Sequence, residues 1–184
     1  MKKIPTTPDQ VILQAKKFAL ESHSNHFYPD GRPYFFHLES VSNLTKQATL
    51  YDSSLDEGTL LSVSYLHDSI EDTQVRYEDI VALFGYEIAN AVASLTKDKT
   101  LSKTEQIQDS LNRILLTSKE AQVVKLADRI ANLYQTLLLT DNKWTSQYKE
   151  YYRQESLFIN KALGNSSHFL SKKLTALIKI YNRI

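Results

Sequence analysis

Apolar positions recur at three- and four-residue intervals over almost the whole chain, and strict alternation is never sustained. The first stripe, Val11, Ala15, Phe18 and Ala19, follows Thr7-Pro8-Asp9-Gln10, which reads as an N-cap, a first-turn proline and a capping box. That helix fades near His23, and residues 24–36 read as a loop centred on Pro29-Asp30-Gly31-Arg32-Pro33. A second helix is predicted over about 37–50, with Leu38, Val41 and Leu44 on its inner face. After a polar connection at 51–58, a third begins with the dense apolar run Leu60, Leu61, Val63, Tyr65 and Leu66 and continues through an acidic segment to Thr73. Short helices are predicted over about 75–84 and 86–95, separated by Gly85 as a stop. Residues 96–102 form a lysine-bearing loop, and 103–116 a helix with a weaker apolar face. Ser118 caps a long helix with Val123, Val124, Ala127, Ile130, Leu133 and Leu137 inward. A connection at 140–143 leads to a helix, with Trp144 as a packing anchor near its start, that runs to Leu163 and stops at Gly164-Asn165. Ser166 or Ser167 starts the last helix. The expectation is all-α, one domain over 1–184, without internal repeat, low-complexity segment or linker.

Composition supports this. Only 4 Gly and 4 Pro in 184 residues leave few enforced breaks, which favours helices over tight hairpins. A formal charge of +1, with Lys and Arg scattered, gives no reason to expect nucleic acid or a membrane surface as partner. No window approaches the roughly 18 uninterrupted apolar residues of a membrane span. No apolar stretch follows Lys2-Lys3, so no secretory signal is read and a cytoplasmic protein is expected. The absence of cysteine excludes disulfides, thiolate zinc sites and thiol nucleophiles, so any metal is held by nitrogen and oxygen.

The densest chemistry is His67-Asp68-Ser69-Ile70-Glu71-Asp72, one imidazole and three carboxylates in little more than a helical turn. In a continuous helix His67 and Glu71 form an i,i+4 pair, as do Asp68 and Asp72. Carboxylates this close and partly desolvated repel one another unless a positive charge sits among them, and a divalent metal is the obvious candidate. Two further residues belong with them: His37, at the start of the second helix, and Asp128, a carboxylate in the middle of a strongly apolar helix. His37, His67, Asp68 and Asp128 together make a two-histidine, two-carboxylate set that suits Mn, Fe, Zn, Ni or Co alike. Paired with Lys125, Asp128 could also be a purely structural carboxylate.

His67-Asp68 followed by Glu71-Asp72-Thr73 resembles the paired signature of the HD phosphohydrolases of RelA/SpoT type. Four other segments fall in that family's order: Gly31-Arg32-Pro33-Tyr34 with His37, Phe84-Gly85, Leu95-Thr96-Lys97-Asp98-Lys99-Thr100, and Lys125-Leu126-Ala127-Asp128-Arg129 with Asn132-Leu133. The likeness is greatest to the short, single-domain small alarmone hydrolases that include the metazoan SpoT homologues, and it covers about 11–163, leaving a C-terminal helix over 166–184.

The resemblance implies hydrolysis of the 3′-pyrophosphate of ppGpp or pppGpp to GDP or GTP and pyrophosphate, with Mn²⁺ as cofactor. It implies that His37, His67, Asp68 and Asp128 bind the metal and that Glu71 and Asp72 handle the attacking water. A polyanionic substrate needs positive partners, for which Lys97, Lys99, Lys103, Lys125 and Arg129 are candidates and Arg32 a further one. Asn132 and Tyr152 match positions that contact the nucleoside, with Tyr151 adjacent.

One stretch departs from the pattern. Where the family presents an arginine that stacks on guanine, this chain has Tyr28, and Pro29 replaces the following lysine. Tyrosine can stack on a base but brings no charge. An adenosine alarmone or the 2′-phosphate of NADPH is therefore the alternative substrate, and a catalytically silent nucleotide-binding module the alternative class. His23 and His26 read as structural or loop residues and His168 as a surface residue.

Overall fold

The computed structural model describes residues 7–138 and 146–181, and among these every regular element is a helix apart from an isolated bridge between Phe27 and Pro33. The N-terminal lysines, the 140–143 connection and Trp144 lie outside the described residues. Among those described, no helix is long and apolar enough to cross a membrane.

Polar side chains set just ahead of each apolar stripe start the helices. Thr7 accepts from the N–H of Gln10 and Pro8 takes the first turn of α1 (Pro8–Ser22). The following loop folds back on itself: the Tyr28 N–H donates to Arg32 O at 2.8 Å and the Tyr34 N–H to His26 O at 2.9 Å, with Gly31 at φ +84° making the turn. This delivers the chain into α2 (Phe35–Thr49), two residues earlier than the apolar pattern suggests. Asp56 accepts from the Thr59 N–H at 2.7 Å and opens α3 (Glu57–Leu66).

The predicted acidic helix is not one rod. α3 ends at Leu66, and α4 (Ser69–Asp72) restarts after Asp68, which sits at φ −98°, ψ −1°. The His67 imidazole turns back on the Ser64 carbonyl at 2.9 Å, the acceptor that a continuing turn would use. The consequence is chemical. Consecutive residues of an α-helix do not face each other, but across this break the side chains of His67 and Asp68 converge.

α5 (Tyr77–Leu95) joins the two short helices expected around Gly85, which forms a kink at φ +84°, ψ 173°. A Cβ there would meet nothing within 4 Å, so backbone conformation, not space, calls for glycine. α6 (Lys103–Thr117) starts at a reciprocal cap between Ser102 and Glu105, and α7 (Lys119–Leu138) at Ser118, whose hydroxyl accepts from the Ala121 N–H at 3.2 Å. α8 (Ser146–Leu163) passes through a short 3-10 turn at Gly164–Ser166 into α9 (His168–Tyr181), where Ser167, of the two candidates, accepts from the Leu170 N–H.

Every residue of α3 from Gly58 to Leu66 is buried, and the helix packs on α1, α2, α5 and α7. That explains why its sequence is apolar all round and not striped. α7 runs beside it, burying Ala121, Val123, Val124, Leu126, Ala127, Ile130 and Leu133, and is covered in turn by α2, α6, α8 and α9. α3 thus ends just before His67, and α7 carries Asp128.

Candidate metal centre

Three segments deliver donor atoms to one point: the first turn of α2 brings His37, the α3–α4 junction His67 and Asp68, and the middle of α7 Asp128. His37 Nε2 lies 3.2 Å from His67 Nε2, 3.4 Å from Asp128 Oδ1 and 3.6 Å from Asp68 Oδ2. His67 Nε2 lies 3.0 Å from Asp68 Oδ2 and 3.8 Å from Asp128 Oδ1. Ligands bound at about 2.1 Å to one first-row divalent ion stand about 3.0–3.5 Å apart, so these separations are of the size such an ion needs. His37, His67 and Asp128, all buried, present atoms within 4.8 Å of one another. Asp68, its side chain 17% exposed, joins them through its contacts to both imidazoles.

The surroundings hold these groups in a ligating form. The Ser64 carbonyl fixes the proton of His67 on Nδ1 and leaves Nε2 facing the cluster. Lys125 Nζ donates to Asp128 Oδ2 at 3.0 Å, and the Asn132 amide donates to Oδ1. The pairing of Asp128 with Lys125 therefore coexists with its approach to both histidines. Tyr34 donates its phenolic hydrogen to Asp68 Oδ2 at 2.6 Å. Burial opposes charge on His67, but Asp68 and Asp128 outweigh it and lift its pKa to about 9. Burial also opposes ionisation of Asp128 and Asp68, yet Lys125 and the histidines hold Asp128, and His67 and His37 hold Asp68, below the usual carboxylate range. Without an ion, a proton on His67 supplies the positive charge that the carboxylates require.

Glu71 and Asp72 stand on α4 beside this cluster. The Lys97 N–H donates to Glu71 Oε2 at 3.0 Å, with Lys97 Nζ 3.8 Å from Oε1. Lys99 Nζ donates to the Glu71 carbonyl at 2.7 Å and lies 3.6 Å from Asp72 Oδ1. Burial, then the Asp68 and Glu71 carboxylates, push the pKa of Asp72 up.

The other candidates fall into separate groups. Lys125 is buried against Asp128, so its charge is taken up inside the protein. Arg129, one residue on, is 2% exposed and faces α8, where Nη2 donates to Glu155 Oε2 at 2.6 Å and the guanidinium covers the Tyr152 ring at 4.3 Å. Lys97, Lys103, Gln106, Tyr151, Tyr152 and Glu155 border a niche of about 150 Å³. Tyr28 lies in another direction, its ring 5.4 Å from the Tyr34 ring and 5.4 Å from the Arg32 guanidinium, which is itself paired with Asp30 at 2.7 Å. Burial and Asp68 push the Tyr28 phenol up to about 12. His168 is exposed, whereas His23 and His26 form a stacked pair against Tyr34. Sequence alone assigns no role to Glu155, or to Tyr34 beyond its place in the Gly31-Arg32-Pro33-Tyr34 motif. Only Tyr34 left a trace, three residues before His37 at the mouth of a helix.

Comparison with known proteins bears on the family and the fold. The HD domain family model matches residues 15–165. Guanosine-3′,5′-bis(diphosphate) 3′-pyrophosphohydrolase MESH1 of Danio rerio is 29% identical over 169 residues, covering 91% of this chain and 92% of that one. Its Xenopus tropicalis counterpart is 31% identical over 166 residues, covering 89% and 90%. A solved structure described as a metazoan ortholog of SpoT that hydrolyzes ppGpp and plays a role in starvation responses superposes with a TM-score of 0.80 at 25% identity, covering 95% of this chain and 97% of the other. With two imidazoles and two aspartates meeting at the junction of three buried segments, and a family model matching most of its length, the chain belongs to the HD-domain family.

Proposed function

We propose that this protein is a cytoplasmic, divalent-metal-dependent hydrolase that removes the 3′-pyrophosphate from guanosine alarmones, converting ppGpp or pppGpp and water to GDP or GTP and pyrophosphate. The convergence of His37, His67, Asp68 and Asp128 beside Glu71 and Asp72 carries this reading. Relatives of nearly equal length, named as hydrolases of this bond, support it.

The four converging side chains hold the ion, with Mn²⁺ as the proposed occupant. Such an ion supplies Lewis acidity at a phosphoryl oxygen and makes water more acidic at neutral pH. Glu71, fixed by the Lys97 N–H, orients the attacking water and accepts its proton. Asp72, its pKa raised by burial and by the Asp68 and Glu71 carboxylates, stands next to Glu71 on α4 and shares in handling that water. Lys97 and Lys99 bring positive charge to the acidic turn for the phosphates, Lys103 borders the niche next to Lys97, Lys125 acts through Asp128, and Arg129 with Tyr152 and Asn132 form the wall toward the nucleoside.

A second reading keeps the centre and changes the base. Tyr28, half-buried beside Arg32 and Tyr34, stands where the resemblance expects a base-stacking arginine, and a neutral ring there favours no particular purine, so an adenosine alarmone or the 2′-phosphate of NADPH is the alternative. Purified protein supplied with Mn²⁺ is to be offered ppGpp, pppGpp, their adenosine analogues and NADPH, with pyrophosphate and orthophosphate measured separately. Pyrophosphate from ppGpp is the expected result. Orthophosphate from NADPH with ppGpp untouched would overturn the guanosine reading and leave the metal centre standing.

A further inference from the structure

We infer that Tyr34 is a positioning residue for the metal centre: its phenol fixes the ligating oxygen of Asp68, and a stacked pair of histidines from the end of α1 fixes the phenol. This rests on the metal reading above.

The oxygen of Asp68 that faces the imidazoles is Oδ2, 3.0 Å from His67 Nε2 and 3.6 Å from His37 Nε2. The same Oδ2 accepts the Tyr34 hydroxyl at 2.6 Å. Of the two aspartates, Asp128 is embedded in α7 and held by Lys125 and Asn132, whereas Asp68 sits in the break between α3 and α4 with a side chain 17% exposed. A carboxylate in such a break can swing toward water, and the phenol is the donor that opposes this. A neutral donor also leaves Asp68 its full negative charge for a cation, which an ammonium in that place would not.

The phenol itself is held from behind. The Tyr34 ring stacks on His26 with centroids 3.9 Å apart and planes 11° from parallel, and His23 lies 5.5 Å away at 24°. His23 Nδ1 and His26 Nδ1 are 3.2 Å apart, so one donates to the other and the two rings are tied together. His23 is 3% exposed, which anchors the stack to the core. Packing of α1 thus reaches a proposed metal ligand through His23, His26 and Tyr34. None of these three belongs to the donor set or to the acidic turn.

The test is Tyr34→Phe, which removes the hydroxyl and keeps the stacking ring. Metal-free wild type and variant are titrated with Mn²⁺ while free Mn²⁺ is followed by electron paramagnetic resonance, and Co²⁺ is bound in parallel for its visible spectrum. The expected result is affinity lower by about 10- to 100-fold, an altered Co²⁺ spectrum, an unchanged circular-dichroism spectrum, and turnover largely restored at saturating Mn²⁺. His26→Ala, which strips the support but spares the hydroxyl, should weaken Mn²⁺ binding in the same direction by less. Equal Mn²⁺ affinity and superimposable Co²⁺ spectra for wild type and Tyr34→Phe would overturn the role of Tyr34 while leaving the metal centre intact. A wild-type protein that takes up no Mn²⁺ would overturn both.

Discussion

Glu71 and Lys97, 26 residues apart in the chain, are joined by a 3.0 Å hydrogen bond from the main-chain N–H of Lys97 to Oε2 of Glu71. The proposed base is therefore aimed by backbone that leaves α5, not by a neighbour on its own short helix. With Oε2 occupied in this way, Oε1 is the oxygen left to take a proton, with Lys97 Nζ 3.8 Å away.

Replacing Glu71 by Gln keeps the shape and the acceptor for the Lys97 N–H but removes the base. Mn²⁺ binding should remain within a few-fold of wild type, while turnover falls by about 10²- to 10⁴-fold. A Mn²⁺ titration and a pyrophosphate-release assay on the same preparation check both halves.

The turn that carries Lys97 is itself gripped from α6. Arg113 donates from Nη1 to the carbonyls of Ala93 at 2.7 Å and Ser94 at 3.1 Å, and from Nη2 to Thr96 O at 2.8 Å, while Asp109 holds its Nε. The guanidinium thus satisfies carbonyls at the end of α5 that have no helical partner. Arg113→Ala should cost about 2–3 kcal/mol in urea unfolding and lower turnover by loosening Lys97 from Glu71. Arg113→Lys, which cannot span three carbonyls, should recover only part of either loss.

Asp128→Ala leaves the Lys125 ammonium, 4% exposed, without its counter-charge and removes a proposed ligand. Loss of Mn²⁺ uptake is expected, with a destabilisation of about 3–5 kcal/mol from the orphaned buried charge. Pairing it with Lys125→Met should restore most of the stability and none of the metal binding. Unfolding curves of the single and double variants separate the two effects.

Metal uptake should depend on pH with a defined sign. In the metal-free protein His67 carries a proton up to a pKa of about 9, held there by Asp68 and Asp128 against the opposing effect of burial. Ligation requires the neutral imidazole, so binding below that pKa releases a proton, and affinity should rise about tenfold per pH unit until it levels off. Calorimetry in buffers of different ionisation enthalpy counts the proton released at pH 7. A pH-independent affinity between about pH 6 and pH 8 would contradict His67 as a ligand of this kind.

The helical fold is legible in the chain because each helix is written locally. Thr7, Ser102 and Ser118 stand ahead of apolar stripes where the structure uses them as caps, and Gly85 marks the kink in α5. His67, Asp68, Glu71 and Asp72 could be singled out because like charges packed at short spacing demand a compensating partner, and Asp128 because a carboxylate in an apolar stripe does too. The acidic segment is less legible. At its break before Asp68 the His67 imidazole meets the Ser64 carbonyl at 2.9 Å, a side-chain-to-backbone contact that periodicity does not register.

Sequence alone determined which residue types occupy which helices, since capping, stripe width and charge spacing act within a turn or two of the chain. Tertiary structure decided which distant residues meet. Tyr34 reaches Asp68 34 positions on, and Arg129 finds Glu155 26 positions on. These pairings are set by how α2, α3, α7 and α8 pack to fill space, and buried polar groups then take the partner that geometry puts within reach.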